Sequence, residues 1–368
     1  MSEYWNLREN DGWRNWAPEI YDPDDDIIFR SGRGTYAGTE QRSLSTEPDP
    51  KLSFGIEIEA IVQPRRSLHG QTPFEALAMR MRDQYNLNVT WYKANVRGTW
   101  KNTRYDSWHV TYDSSLDANG PNEVGLEVVS PKLMAADVWE RQIRLVWQAI
   151  RDLFLVKKHA LSCGSHVHVA PTYRDFTLDE LKLIAMFTVI HEDSILKTLH
   201  TTRENHKYCE RNTKIEDTGL WHNFGRVKHG QGLSYFRQGG LRECQVAIAG
   251  ITSKSELVDY MQGDNRRVLW NFRNILPGGS GTVEFRGGRH LRGPNRTIWW
   301  ATFAILFVDL ALRSACLNSQ RYDLQYILPH LAEHDEATQT LWQQVKELAR
   351  FQHMYGNLPE KYFWAAGI

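Results

Sequence analysis

The chain has 368 residues, 41% of them apolar, with 44 Lys+Arg against 44 Asp+Glu. That length supports one large domain or two ordinary ones with a full core, and zero net charge excludes a global basic field for nucleic acid or anionic membrane. The start, MSEYWNLREN, lacks the layout of a secretory signal, and Cys163, Cys209, Cys244 and Cys316 form no CxxC pair, so reduced thiols in a cytoplasmic protein are expected.

Residues 1–50 hold an acidic run (Asp22, Asp24, Asp25, Asp26) and a Gly/Ser/Thr-rich stretch, and they read as a largely irregular tail despite Trp5, Trp13 and Trp16. Residues 51–318 read as one catalytic domain and 319–368 as a helical extension. Capping boxes at Thr72–Glu75, Thr177–Glu180 and Ser253–Glu256 predict helix starts. Helical periodicity covers Ala135–Val156, Arg296–Ala315 and Leu341–Phe351. The longest apolar run, Ile298–Val308, is of core-helix length and predicts no spanning segment. The polar stretch Thr201–Gly240 is too long for a plain connection and reads as a lid or binding loop.

Five short runs alternate with period two, so each has two faces. In Phe54–Val62, Glu57 and Glu59 oppose the apolar residues; in Trp108–Ser115, Asp113 and Ser115 oppose Trp108 and Val110. Glu127 opposes Leu126 and Val128, His166 and His168 share a face, and so do Glu284 and Arg286. Solvated strand faces usually carry Thr, Ser, Lys and Arg. Here they carry carboxylates and imidazoles, and carboxylates as close as Glu57 and Glu59 repel unless a cation lies between them. A wet sheet face with local salt bridges is the alternative; if the runs join one sheet, a metal cavity is favoured. Oxygen ligands with one imidazole suit Mg²⁺ or Mn²⁺ better than zinc. His191-Glu192 has no second histidine of a zincin helix, and His166/His168 lack the nearby glutamate of a cupin. Between Asp264 and Arg296 lie seven arginines and no lysine, with glycines 278, 279, 281, 287 and 288 among them. Guanidinium forks beside close-approaching backbone suit phosphate, and next to a metal cavity they suggest a nucleoside triphosphate.

In this order, Gly-x-Glu-x-Glu (55–59), Asp-x-Ser (113–115), Glu-Val-Val-Ser-Pro (127–131), Gly-Ser-His-Val-His (164–168) and Glu-Phe-Arg (284–286) resemble the amidoligase family of the carboxylate–amine ligase superfamily, which includes glutamine synthetase. Arg203–Tyr208 resembles that family's arginine loop, and the resemblance spans about residues 52–310. It implies an α+β fold: a curved antiparallel sheet with helices on its convex face and the active site on its concave face, as in glutamine synthetase and guanidino kinases. It implies that Glu57, His166 and Glu284 bind one cation and Glu59 and Glu127 another, with Asp113 contributing. His168 then faces the phosphates, Arg286 the transferring phosphoryl group, and Arg203, Arg266, Arg267 and Arg289 the nucleotide. The implied activity is an ATP- and Mg²⁺-dependent (or Mn²⁺-dependent), ADP-forming ligase that joins a small carboxylate to an amine through an acyl phosphate. A guanidino-kinase-type phosphotransferase and a non-catalytic nucleotide-binding relative stay open. Neither nucleic acid nor membrane is expected as a partner, and the sequence does not specify an oligomeric state.

Overall fold

Thirteen residues from Leu52 to Pro64 alternate almost perfectly between apolar and polar, and they form the longest strand, β1. In the computed structural model, the described residues are 52–358 apart from 95, 97–103, 158–159, 200–202, 204–205, 230–233 and 317–333. The expected N-terminal tail therefore lies outside them. The other strands are β2 Val89–Trp91, β3 Trp108–Thr111, β4 Val124–Val129, β5 Leu133–Met134, β6 Phe154–Val156, β7 Gly164–Pro171, β8 Trp270–Asn271 and β9 Val283–Arg289. They join one sheet in the order β2-β3-β4-β1-β7-β9-β8, with β5 and β6 also paired to β1. Every pairing is antiparallel except β2 with β3. The fold is thus α+β with an open, mostly antiparallel sheet.

Helices α1 Pro73–Tyr85, α2 Glu140–Leu153, α3 Leu178–Thr198, α4 Arg226–His229, α5 Ser234–Gly250, α6 Lys254–Met261, α7 Pro294–Cys316 and α8 His334–Phe351 complete it. Thr177 and Glu180 make a reciprocal capping box. At α1 and α6 only half of each box forms: Thr72 and Ser253 accept the amides of Glu75 and Glu256. Glu256 turns instead to the Thr252 amide, 2.8 Å away. The periodic stretch Ala135–Val156 is helical only over α2, because Phe154–Val156 peels off to pair with Val62–Pro64.

The apolar face of β1 (Phe54, Ile56, Ile58, Ala60, Val62) shares one buried core with Ile143, Val146 and Trp147 of α2 and Phe303 and Phe307 of α7. Burying a side chain of this size stabilises by roughly 1.5–3 kcal/mol. Leu341, Trp342, Val345 and Ala349 of α8 join the same core. Within α7, Pro294–Ser314 is long and apolar enough to cross a membrane, more than the run Ile298–Val308 suggested. However, 83% of its most apolar window is buried inside the protein, as a central core helix requires. Cys163, Cys209 and Cys244 are free and buried.

The stretch expected to be a lid or binding loop lines the candidate site with Arg203 and Tyr208, and it is anchored in the fold at several of its described residues. Asn212 and Thr213 are fully buried. Asn212 donates to the Trp270 carbonyl and accepts from the Trp270 amide at 2.9 and 3.0 Å. Glu192 of α3, also fully buried, accepts from the Thr213 amide at 3.1 Å and pairs with Lys228 at 2.6 Å. Gly225 sits where an added Cβ would lie 2.1 Å from the Thr213 carbonyl oxygen, so only glycine fits the crossing. Such a segment is anchored by buried charge pairs that are costly to break.

Candidate active site on the polar face of the sheet

Register turns five separately patterned strands into one constellation. Glu59 stands opposite Glu127 across β1 and β4, and Glu127 stands opposite Thr111 across β4 and β3. Glu57 faces His166 and Gly55 faces His168 across β1 and β7. His168 then faces Glu284 on β9, which faces Asn271 on β8. A bulge between Ser165 and Val167 shifts the β7–β9 register, and such bulges re-aim side chains beside sites.

The centre is a carboxylate–imidazole cluster. His166 Nδ1 lies 2.7 Å from Glu57 Oε2 and 3.7 Å from Glu284 Oε1, and its Nε2 lies 3.5 Å from Glu59 Oε1. His168 Nε2 is 3.0 Å from the other Glu57 oxygen, and its Nδ1 is 3.1 Å from Thr282 Oγ1. One ligand atom from each of Glu57, His166 and Glu284 fits within 4.8 Å. Two carboxylates and one imidazole form a donor set for a hard divalent cation, so the residues fit the group. Glu59 accepts the Gly164 amide at 2.6 Å. Arg286 Nη1 bonds Glu284 Oε1, and its Nε reaches the Tyr208 carbonyl at 3.4 Å.

Two cavities meet at Glu57. One, of about 150 Å³, is lined by Glu57, Glu59, Asp113, Glu127, His166, Arg203 and Arg286, with Tyr208 at its wall. The other, of about 160 Å³, is lined by Phe54, Gly55, Tyr105, Ser130, Lys132, His168 and Thr282 among others. The backbone leaves the strand after Thr111. Asp113 therefore reaches the first cavity from a turn, accepting from the Ser115 amide at 2.7 Å and its hydroxyl at 2.8 Å.

The electrostatics separate the carboxylates. Burial pushes the Glu57 carboxyl up, but the adjacent His168 and hydrogen bonds from both histidines hold it well below the usual carboxylate range. Glu284 is likewise raised by burial and brought down on balance by Arg286, His168 and His166. Glu127 goes the other way: burial, then Glu57, Glu59, Asp113 and Glu284, push it well above that range. Burial lowers His168 but Glu284 and Glu57 raise it on balance. This is the field that a bound cation neutralises.

The expected arginines fare unequally. Arg286 and Arg203 line the first cavity. Arg203 is buried with its Nη2 donating to the Arg286 carbonyl at 2.9 Å, so it braces Arg286 from behind. Arg267 is exposed and stacks over the Tyr208 ring at 4.9 Å, which puts it at the rim. Arg266 is exposed and lines neither cavity, because it sits in the turn after α6. The Arg289 side chain lies outside the described ones. Sequence reasoning missed Asn271 and Asn274, which donate to Glu284 Oε2 at 2.7 and 3.1 Å, as well as Tyr105; Tyr208 entered it only as the end of the Arg203–Tyr208 stretch. The only local signal was Asn271-Phe-Arg-Asn274, an i, i+3 amide pair in a stretch read for its arginines.

Residues 50–219 match the model of a family described as "Putative amidoligase enzyme". The matched segment holds Glu57, Glu59, Asp113, Glu127, His166, His168 and Arg203 but ends before Glu284 and Arg286. No curated protein matches the chain. Among solved structures it resembles a bifunctional glutathione synthetase from Pasteurella multocida at 13% identity and a TM-score of 0.29, over 86% of this chain and 52% of that one. The chain thus spans about half the length of that protein, and a likeness this low carries no weight for the fold or the chemistry.

Proposed function

We propose, from the match of residues 50–219 to the putative amidoligase family model and from the geometry of the site, that the protein is an ATP-dependent carboxylate–amine ligase working with Mg²⁺ or Mn²⁺. The observation that carries the reading is the Glu57–His166–Glu284 cluster, whose ligand atoms lie within 4.8 Å of one another on a face shared with Glu59 and Glu127. In this reading the polar face is the concave side of a glutamine synthetase-like catalytic sheet.

A carboxylate is a poor acyl donor. Attack of its oxygen on the γ-phosphorus of ATP expels ADP and leaves an acyl phosphate; the amine then attacks the acyl carbon and inorganic phosphate departs. Glu57, His166 and Glu284 would hold one divalent cation and Glu59 and Glu127, with Asp113, a second. Bound there, such ions supply charge neutralisation for the phosphoryl oxygens. Arg286 points a guanidinium fork into the same cavity, where it binds the transferring group as charge spreads over its oxygens. Arg203 keeps Arg286 in place from behind. His168, held between Glu57 and Thr282, would face the phosphates. The two cavities that meet at Glu57 give two substrates separate approaches to one reacting centre.

The test is a screen of small carboxylates and amines for nucleotide product, with hydroxylamine added to trap an acyl phosphate as a hydroxamate. ADP with hydroxamate is expected. AMP with pyrophosphate indicates adenylation and overturns the reading.

A further inference from the structure

Glu284 is held by a chain of amides whose polarity is set by backbone N–H groups. The chain starts at Gln262, fully buried just after α6. The Phe272 amide donates to Gln262 Oε1 at 2.6 Å. A backbone N–H cannot act as an acceptor, so Gln262 must present Nε2 on its other side. That nitrogen donates to the Asn265 carbonyl and to Asn271 Oδ1, both at 2.7 Å. The Arg273 amide donates to the same Asn271 oxygen at 3.0 Å. With two donors on Oδ1, Asn271 must turn Nδ2 toward Glu284, where it donates to Oε2 at 2.7 Å. Asn274 adds a second donor to Oε2 at 3.1 Å. Every polar atom of the Gln262 amide is thereby used, and both ends of the chain are fixed.

The consequence falls on the two Glu284 oxygens. Oε2 is taken by two amides. Oε1 faces His166 Nδ1 at 3.7 Å, His168 Nε2 at 3.9 Å and the Arg286 guanidinium. We propose that Gln262 and Asn271 are positioning residues that orient Glu284 so that it offers a single oxygen, Oε1, to the cation. This rests on reading Glu284 as a cation ligand. Asn271 sits on β8, an edge strand of two residues that is too short to fix it by the ladder alone, and the tie to the end of α6 adds to the hold that Asn212 has on the Trp270 backbone. Partners that orient metal-binding carboxylates usually matter for affinity tenfold to a hundredfold, whereas a purely structural tie between α6 and β8 would affect only folding stability.

Binding of Mn²⁺ to the full-length, nucleotide-free protein, read from loss of the free-ion electron paramagnetic resonance signal, separates these roles when paired with melting curves. Gln262→Met removes the relay without touching Glu284, and Asn271→Ala removes the donor itself. Both are expected to weaken Mn²⁺ binding about tenfold to a hundredfold. Thr297→Val is the comparison: it deletes the hydroxyl bonded to Trp147 Nε1 at 2.8 Å, between α2 and α7, and should lower the melting temperature with no change in affinity. Wild-type affinity in Gln262→Met and Asn271→Ala overturns the proposal, as does an equal loss in Thr297→Val. If Gln262→Met does not fold, Asn271→Ala and Asn274→Ala decide. Glu57→Gln, which removes a ligand's charge, tests the underlying reading separately: if it binds Mn²⁺ like wild type, the cation reading itself fails.

Discussion

Glu59 and Glu127 are direct cross-strand partners on β1 and β4, two carboxylates lining the same cavity. Like charges placed this way destabilise a sheet, and the strain shows in Glu127, held well above the usual carboxylate range by burial and by Glu57, Glu59, Asp113 and Glu284. A site that costs stability without a counter-charge is what a cation-binding surface should be.

Glu127→Gln should therefore raise the melting temperature of the metal-free protein and shrink the further rise on adding Mn²⁺. Gln keeps the volume and removes one of the repelling charges. Differential scanning calorimetry with and without Mn²⁺ checks it; a lower melting temperature in the metal-free variant would count against the repulsion argument.

Glu57→Gln and Glu284→Gln should each abolish turnover while retaining the fold. Both side chains lie on the polar face, where the core of α2 and α7 does not reach them. Turnover within about threefold of wild type, less than ~1 kcal/mol of barrier, would place the chemistry elsewhere.

Arg286→Lys should lower turnover by roughly a hundred- to thousandfold, the scale of losing one charge-stabilising donor, about 2.7–4 kcal/mol. Lysine cannot bond Glu284 and the Tyr208 carbonyl while also holding two phosphoryl oxygens. The Michaelis constant should change less than turnover, since the contact strengthens in the transition state. If Arg286 merely partners Glu284, lysine restores most activity and the loss appears in melting temperature.

His229→Gln should flatten the pH dependence of stability on the acid side of neutrality. Burial, then Lys228, lowers the His229 imidazole from its ordinary value near 6.5 to about 4, while its Nε2 meets Thr213 Oγ1 at 2.8 Å. In the unfolded chain it takes up a proton near 6.5. Between that value and about 4 the unfolded state holds more protons, so folding stability falls as pH drops through this window and is unaffected above it. Urea melts of both proteins from pH 7 to pH 4.5 should diverge steadily; parallel curves would show that His229 titrates normally.

Much of the site was legible before any fold was known, because the alternation of side chains along a strand is local. Glu57 with Glu59, His166 with His168, and Glu284 with Arg286 had to share faces whatever the strands paired with, and apolar residues at the intervening positions determined which face was buried. The helix cores of α2 and α7 were readable for the same reason. What lay beyond local patterning was register. Nothing in residues 54–62 says that Glu57 meets His166, over a hundred residues away, or that Glu59 meets Glu127 and not Val129. Those pairings depend on the whole sheet minimising exposed apolar surface at once. The stretch Thr201–Gly240 looked loose because its composition is polar, yet its buried partners, Glu192 and the Trp270 backbone, come from other elements. Gln262 and Asn271 likewise carried no periodic signal, since two residues of edge strand and a helix end have no pattern to read. Only the tertiary structure could bring their amides to Glu284, because a hydrogen-bond relay is specified by donors and acceptors meeting in space and not by their order along the chain.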